Sequence, residues 1–245
     1  MNMGEKESIV NTDDGEMYAF SVWPDNNGPH PVIVLYMDAP GIREELRNFA
    51  RRIAAQGYYA ILPDLYYRLG NIRFNLQNRN EKMGEMIFAA WHSLSNSAVS
   101  RDTAKILEFL DSEQHASDGP MGCVGYCMSG AFVVTVAGIY SDRFAAVASL
   151  YGVWIVTEND DSPHLQIPNI KSELYLAFAE HDHWIGENVI PDLTKACKDY
   201  NVVYEIETYP GTEHGYAFPE REVYNEEAAE ATWTKMFELY SRTLG

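Results

Sequence analysis

Met121-Gly-Cys-Val-Gly-Tyr-Cys-Met-Ser-Gly130 is the stretch that decides the fold of this 245-residue chain. Its first six residues form an apolar run typical of a buried strand, and the apolar run that follows, 131–139, is typical of a packed helix. Between them, Gly125 and Ser129 flank Cys127 with the spacing of a nucleophile elbow, a sharp turn that leads from a strand into a helix. The sequence therefore predicts a strand, a strained turn at Cys127 and a helix.

Cys127 is the candidate nucleophile of this turn. The helix that follows directs free backbone N–H groups and a partial positive charge at the sulfur, which favours a thiolate and a developing oxyanion. Two alternatives stay open on the motif alone. In the first alternative, Cys127 is only a small buried apolar residue, which is the usual role of a free cysteine. In the second, Ser129 is the nucleophile. The position of Ser129, two residues into the helix, disfavours the second alternative.

Length and cysteine content indicate the class of protein. A chain of 245 residues that is 46% hydrophobic can bury a large core, and α/β folds of this size are commonly one domain, so we expect a single domain over 1–245. Three widely spaced cysteines disfavour a disulfide framework and favour a reducing compartment. The first residues lack the apolar run of a signal peptide, and no segment is apolar for long enough to span a membrane. We therefore expect a cytoplasmic protein.

The formal net charge of −18 disfavours nucleic acid and anionic membrane surfaces as partners. It also provides no long-range attraction for an anionic substrate. Sixteen Tyr, ten Phe and five Trp supply core residues and can line an apolar pocket. The expected partner is a small molecule, and the expected oligomeric state is a monomer or a homodimer.

The rest of the chain alternates strands and helices. Asn11-Thr-Asp-Asp-Gly15 separates two apolar runs and predicts an N-terminal hairpin. A β-branched run at 32–36, an amphipathic helix at 42–56 and a strand at 58–62 predict a βαβ unit with parallel strands. Further helices and strands are predicted at 99–110, 144–151, 174–178, 189–200, 202–208 and 229–240. The predicted fold class is α/β, with a doubly wound, mostly parallel sheet and helices on both faces.

Two regions have weaker patterns. Between Tyr66 and Ser97 only a patch around 83–91 has helical spacing, and residues 157–172 are polar and predict a loop. Asp102 is expected in the first turn of the helix at 99–110, where a carboxylate complements the helix dipole.

Four polar clusters directly follow predicted strands, and they contain Asp38, Cys127, Asp182 and His214. Ligands of open parallel sheets bind outside the carboxyl ends of the strands, so these side chains are expected to converge. Cys127, Asp182 and His214 also follow the chain order of the α/β-hydrolase triad, in which the nucleophile precedes the acid and the acid precedes the histidine. Alone, Asp182 would be read as a helix cap and His214 as a surface histidine. Together with Cys127 they predict a Cys-His-Asp active site.

The chain resembles the dienelactone hydrolase family, a cysteine-dependent branch of the α/β hydrolases. Four stretches carry the resemblance: Gly125-Tyr-Cys-Met-Ser-Gly130, Ala54-Ala-Gln-Gly-Tyr-Tyr-Ala-Ile-Leu-Pro-Asp-Leu-Tyr66, Glu180-His-Asp-His183 and Glu213-His-Gly-Tyr216. The resemblance implies that Cys127 is the nucleophile, His214 the base and Asp182 the residue that orients the base. It further implies hydrolysis of an ester or lactone through a thiol-acyl enzyme, without a metal or an organic cofactor.

Two positions depart from the pattern of that family. The family usually has Glu where this chain has Asp38, and that carboxylate takes part in activating the thiol. Asp38 either accepts the hydrogen of the resting Cys127 thiol until substrate displaces it, or only orders the turn through Ala39-Pro-Gly41. Ser129 stands where the family usually has glycine, a small change that the turn should tolerate.

Further candidates concern the oxyanion and the substrate. The backbone N–H groups of Met128 and Ala39 are expected to face the Cys127 sulfur as an oxyanion hole. Tyr216 and Trp154 are candidates for substrate binding. Arg221 is the favoured clamp for a substrate carboxylate among the arginines near strand ends, which also include Arg43, Arg68, Arg73 and Arg79.

No metal or cofactor site is predicted. His181-Asp-His183 has residue types that bind zinc, but side chains that alternate after a strand point in opposite directions, and no second pair has ligand spacing. Residues 122–130 lack the lysine of a phosphate-binding loop and the dinucleotide fingerprint. Cys123 and Cys197 are interpreted as structural residues.

Two functions stay open. The first is a cysteine-dependent hydrolase of carboxylic esters or lactones. The second is a hydrolase-fold binding protein that retains the triad without turnover.

Overall fold

Strands and helices alternate through most of the chain in a computed structural model, which describes residues 2–26 and 28–245. They form two compact units, Met1–Gly119 and Pro120–Gly245. The single domain expected over 1–245 stays a prediction. Within the described residues, no helix is both long enough and apolar enough to cross a membrane.

The first unit contains a four-stranded arrangement in the order β1-β2-β4-β3. Its strands are β1 (Met3–Thr12), β2 (Gly15–Pro24), β3 (Val32–Tyr36) and β4 (Tyr59–Pro63). β1 and β2 form the predicted antiparallel hairpin, and β2 is also antiparallel to β4. β3 and β4 are parallel and joined by helix α1 (Glu44–Ala54), which confirms the predicted βαβ unit. Every residue of β3 and β4 is buried, which explains why these strands lack an alternating polar face.

Helices α2 (Glu81–His92) and α3 (Asn96–Leu110) complete the first unit. The expected place of Asp102 in a first helical turn is wrong, because α3 begins at Asn96 and Ser95 caps it by accepting the N–H of Ala98. Asp102 instead lies buried in the second turn, where its carboxylate accepts hydrogen bonds from Arg68 at 2.7 and 2.8 Å.

The second unit contains four parallel strands in the order β5-β6-β7-β8. They are β5 (Met121–Tyr126), β6 (Phe144–Leu150), β7 (Glu173–His181) and β8 (Tyr204–Glu213), and the helices of this unit are α4 (Met128–Ile139), α5 (Val189–Asp199) and α6 (Glu226–Leu244). β7 and β8 run several residues beyond their predicted ends at 178 and 208. This extension places the polar residues that follow the two strands side by side.

The segment predicted as a loop at 157–172 contains a 3₁₀ helix over Pro163–Asn169. It packs closely on α4, since a Cβ atom on Gly138 would lie 2.6 Å from the Cβ of Gln166. Residues 128–138 of α4 are all buried, so this helix has no polar face from which a helical period could be read.

Candidate active site

The backbone of Cys127 is strained at the junction of β5 and α4. Its φ of 55° and ψ of −118° lie outside the regions that non-glycine residues usually adopt, at a cost of roughly 1–3 kcal/mol. Three backbone hydrogen bonds hold this conformation: the N–H of Cys127 donates to Leu150 at 3.1 Å, and its carbonyl accepts from Gly130 and Val153 at 3.1 Å each. A cysteine that only filled the core would not require such a backbone.

The small residues around Cys127 are required by close backbone approaches. A Cβ atom on Gly125 would lie 2.2 Å from the carbonyl oxygen of Ser129, and one on Gly130 would lie 2.3 Å from the Cα of Gly152. Both distances are shorter than any van der Waals contact. The elbow motif therefore has a direct steric cause on each side of the turn.

Ser129 lies in the first turn of α4 with its side chain fully buried. Because a nucleophile must reach the substrate, this burial disfavours Ser129 as an alternative to Cys127. The Cys127 side chain is itself 8% exposed and lies at the start of the helix, where the partial positive charge of the helix is strongest.

Asp182 and His214 are brought together by the register of β7 and β8. His181, the last residue of β7, pairs with Glu213, the last residue of β8, so the residues that follow them lie side by side. The register shifts just before this pair, because a single residue of β7, Glu180, stands opposite three residues of β8, 210–212. The carboxylate Oδ2 of Asp182 accepts a hydrogen bond from Nδ1 of His214 at 2.7 Å. This bond fixes the ring so that Nε2 is left for the reaction.

The His214 ring is buried, with 10% of its side chain exposed. Burial lowers the pKa of His214, but the hydrogen bond to Asp182 and the interaction with the Cys127 sulfur together outweigh burial and raise the pKa to about 9. Among the described residues, Nε2 of His214 makes no hydrogen bond of normal geometry, but the Cys127 side chain is close enough to raise the pKa of the ring. The structure thus brings together the three predicted triad residues.

Two tyrosines pack beside the histidine ring. Tyr151 and His214 pack edge to face at a centroid distance of 5.1 Å, and Tyr216 packs on Tyr151 at 5.2 Å. Tyr216 is fully buried, and its hydroxyl lies 3.0 Å from that of Thr232. This burial argues against the predicted contact of Tyr216 with substrate and favours a supporting role beneath Tyr151.

Two exposed tryptophans flank the triad residues in this unit. Trp154 follows Val153, whose N–H is bonded to the carbonyl of Cys127, and its side chain is 41% exposed. Trp184 is 38% exposed, and its ring centroid is 6.4 Å from that of His214. Trp154 stays a candidate for substrate binding. Trp184 was missed by the sequence analysis, although a tryptophan two residues after the predicted acid was a visible signal.

Arg221 lies beside the glycine that follows the catalytic histidine candidate. Its guanidinium packs over the Phe218 ring at 5.0 Å, and its Nη1 is 2.5 Å from the place that a Cβ atom on Gly215 would occupy. Gly215 therefore leaves room for the guanidinium next to His214. Binding of a substrate carboxylate by Arg221 stays a prediction.

Three other candidate arginines bind carboxylates of the chain itself. Arg68 pairs with Asp102, and Arg73 donates to Asp64 at 2.7 Å. Arg43 pairs with Asp38, with Nη2 donating to Oδ2 at 3.1 Å and a second, closer bond from Nη1 to Oδ1. These internal ion pairs make the three arginines weaker candidates for a substrate clamp.

Asp38 and Ala39 follow β3 in the first unit. The Asp38 side chain is fully buried, and the carbonyl of Ala39 accepts a hydrogen bond from the Tyr66 hydroxyl at 2.7 Å. The action of Asp38 on the Cys127 thiol and the place of Ala39 in an oxyanion hole stay predictions. Within the part of the chain that the structure describes, no three His, Cys, Asp or Glu side chains are grouped as metal ligands.

Comparison with known proteins supplies a context for this geometry. The model of the dienelactone hydrolase family matches residues 17–244. A protein of Mus musculus named carboxymethylenebutenolidase homolog is 31% identical to this chain over 179 residues, which are 72% of this chain and 66% of the mouse protein. The human protein of the same name has the same identity and coverage.

A solved structure supports the fold independently. The Klebsiella pneumoniae protein described as "Putative Dienelactone Hydrolase" superposes with a TM-score of 0.87 at 21% identity, over 99% of this chain and 100% of that protein. At this identity the likeness establishes the fold alone. It confirms the predicted fold class, an α/β-hydrolase fold with a doubly wound, mostly parallel sheet.

Proposed function

Because this chain belongs to the dienelactone hydrolase family, and so is a hydrolase that acts on lactones or esters, we propose that it works through a Cys127-His214-Asp182 triad and a thiol-acyl intermediate. The observation that carries the proposal is the strained turn of Cys127 in front of a buried His214 that is oriented by Asp182 at 2.7 Å. A small-molecule ester or lactone is the substrate in this proposal.

In the proposed first step the Cys127 sulfur, whose proton has passed to Nε2 of His214, attacks the carbonyl carbon of the substrate. The carbonyl oxygen becomes an oxyanion, which the N–H of Met128 at the start of α4 stabilises. The bond to the alcohol oxygen then breaks, and His214 gives that oxygen the proton on Nε2. In the second step water attacks the thioester carbon, His214 takes a proton from the water, and the carbonyl carbon–sulfur bond breaks to release the acid.

The charge state of His214 supports this order of events. With a pKa of about 9 the imidazole is protonated at neutral pH, so the proton for the leaving oxygen is already in place. Asp182 keeps this proton on the correct nitrogen by accepting the hydrogen on Nδ1.

Replacement of the nucleophile tests the proposal. We expect Cys127→Ala to abolish the acyl-enzyme and to lower turnover of p-nitrophenyl esters by on the order of 10³-fold or more. Ser129→Ala serves as the matched control and should retain turnover. The acyl-enzyme is detected as a mass increase on the intact protein after mixing with substrate.

Two outcomes of this experiment would contradict the proposal. If Cys127→Ala keeps the wild-type rate while Ser129→Ala loses it, the nucleophile is Ser129. If the wild-type protein hydrolyses none of a chain-length series of p-nitrophenyl esters or a small dienelactone, yet Cys127 alkylates rapidly at neutral pH, the protein binds rather than turns over its ligand. Cys123 and Cys197 are internal controls for alkylation, since burial raises the pKa of both thiols.

A further inference from the structure

From the position of Trp184 we infer that the alcohol portion of the substrate carries a ring, which stacks on this indole while the ester or lactone bond is cleaved. The inference rests on the proposed function and adds the substrate class. Its starting point is that Trp184 is a large apolar side chain placed beside the proposed base yet 38% exposed.

The exposure of Trp184 differs from that of most tryptophans in the chain. Trp23, Trp91 and Trp233 are 9%, 5% and 2% exposed, whereas Trp154 and Trp184 are 41% and 38% exposed. An exposed indole next to reacting groups gives a ligand a rigid, flat apolar surface at little entropic cost.

The backbone of Trp184 is bound by the same carboxylate that orients the base. Oδ2 of Asp182 accepts from His214 at 2.7 Å, and Oδ1 accepts the backbone N–H of Trp184 at 3.0 Å. The indole is therefore positioned relative to the His214 ring, with a centroid distance of 6.4 Å and an angle of 54° between the planes. The His183 ring lies 5.1 Å from the indole and extends the aromatic surface.

The chemistry of the step determines which portion of the substrate lies there. When the bond from the carbonyl carbon to the alcohol oxygen breaks, that oxygen must lie within hydrogen-bond distance of Nε2 to receive its proton. The group attached to the oxygen is then a few ångströms from the His214 ring, within the range at which aromatic rings pair. The acyl portion is bonded to the Cys127 sulfur instead. Trp184 is therefore assigned to the leaving group and not to the acyl group.

Two isomeric esters test this assignment. Phenyl acetate carries its ring on the alcohol portion and methyl benzoate carries it on the acyl portion, with the same atoms in total. The measured quantity is the ratio of kcat/KM for phenyl acetate to kcat/KM for methyl benzoate. We expect Trp184→Ala to lower this ratio about 3- to 10-fold, and Trp184→Phe to restore most of it. Comparing each variant with the wild type cancels the different intrinsic reactivity of the two esters.

A matched control is Tyr200→Ala, which removes an aromatic side chain that is 56% exposed and lies before β8, at the opposite end of that strand from His214. This variant should leave the ratio at the wild-type value. An equal loss on both esters in Trp184→Ala would mean that Trp184 only holds Asp182, and would overturn the inference, as would no loss on either ester. If the wild type cleaves neither ester and Cys127 is not acylated, it is the proposed function that fails.

Discussion

His214 is held in its charged form by its neighbours, and this property has a thermodynamic consequence. Its pKa is raised to about 9 in the folded chain, against a reference value of 6.5. The proton is therefore bound more tightly in the folded than in the unfolded state. The stabilisation that results is fully present below pH 6.5 and is lost as the pH rises through 9.

Urea unfolding of wild type and His214→Gln at pH 6 and pH 10 measures this contribution. The difference in unfolding free energy between the two proteins should fall with rising pH, by on the order of 3 kcal/mol for a shift of this size. Because both proteins contain all the other titrating groups, subtracting the unfolding free energy of the glutamine variant removes the contribution of those groups. In a Cys127→Ala background the fall should be smaller, because the interaction of the Cys127 side chain with the ring contributes to the raised pKa of His214. A difference that stays constant or grows with pH would mean that His214 is neutral in the folded protein.

At the scale of elements, the turn between β5 and α4 depends on the absence of side chains. The α-carbon of Gly130 approaches that of Gly152 so closely that a Cβ atom would lie 2.3 Å away, with backbone on the other side that cannot rotate aside. Gly84 in α2 is the opposite case, since a Cβ atom there would meet no atom of the described residues within 4 Å.

We expect opposite effects from one substitution at these two glycines. Gly130→Ala should lower the free energy of unfolding by about 3 kcal/mol or more, because overpacking against rigid backbone displaces the helix start. Gly84→Ala should raise the free energy of unfolding by about 0.5–1 kcal/mol, the usual gain from replacing glycine inside a helix. Chemical denaturation measures both, and a stable, fully active Gly130→Ala variant would contradict the tight packing described at the elbow.

Elements with strong local signals were predictable from the sequence. The glycines around Cys127 mark the turn by themselves, and 32–36 was predicted with the bounds that β3 has. The extension of β8 to Glu213 was not predictable, because Pro210 and Gly211 are typical of a turn, and the strand continues past them only through the pairing of Glu213 with His181. Trp184 follows the predicted acid by two residues, which is a local signal, but its place beside His214 also depends on the register of β7 and β8.

At the scale of the whole molecule, the net charge of −18 sets the long-range field. The negative net charge repels an approaching anionic substrate. Salt screens that repulsion beyond a Debye length of about 8 Å at physiological ionic strength. The monomeric or homodimeric state and the cytoplasmic location stay predictions.

Ionic strength therefore should affect charged and neutral substrates differently. Raising NaCl from about 10 mM to about 300 mM should increase kcat/KM severalfold for an acetate ester whose alcohol portion bears a carboxylate, because encounter becomes less unfavourable. The uncharged methyl ester of the same compound should show little change. A fall in kcat/KM for the anionic ester would instead indicate a local cation at the site, with Arg221 as the first residue to replace.

The bulge in β8 before His214 has a consequence for comparing and redesigning chains of this kind. Side chains of a strand alternate between two faces, so removing a single residue from Pro210-Gly-Thr212 would turn His214 away from Asp182, whereas replacing a residue there would leave the count intact. The length of the segment between Tyr209 and Glu213 is therefore what keeps Asp182 and His214 side by side. A sequence alignment that opens a gap in this interval would misplace the histidine relative to the acid. A library of variants built there should therefore keep the number of residues constant.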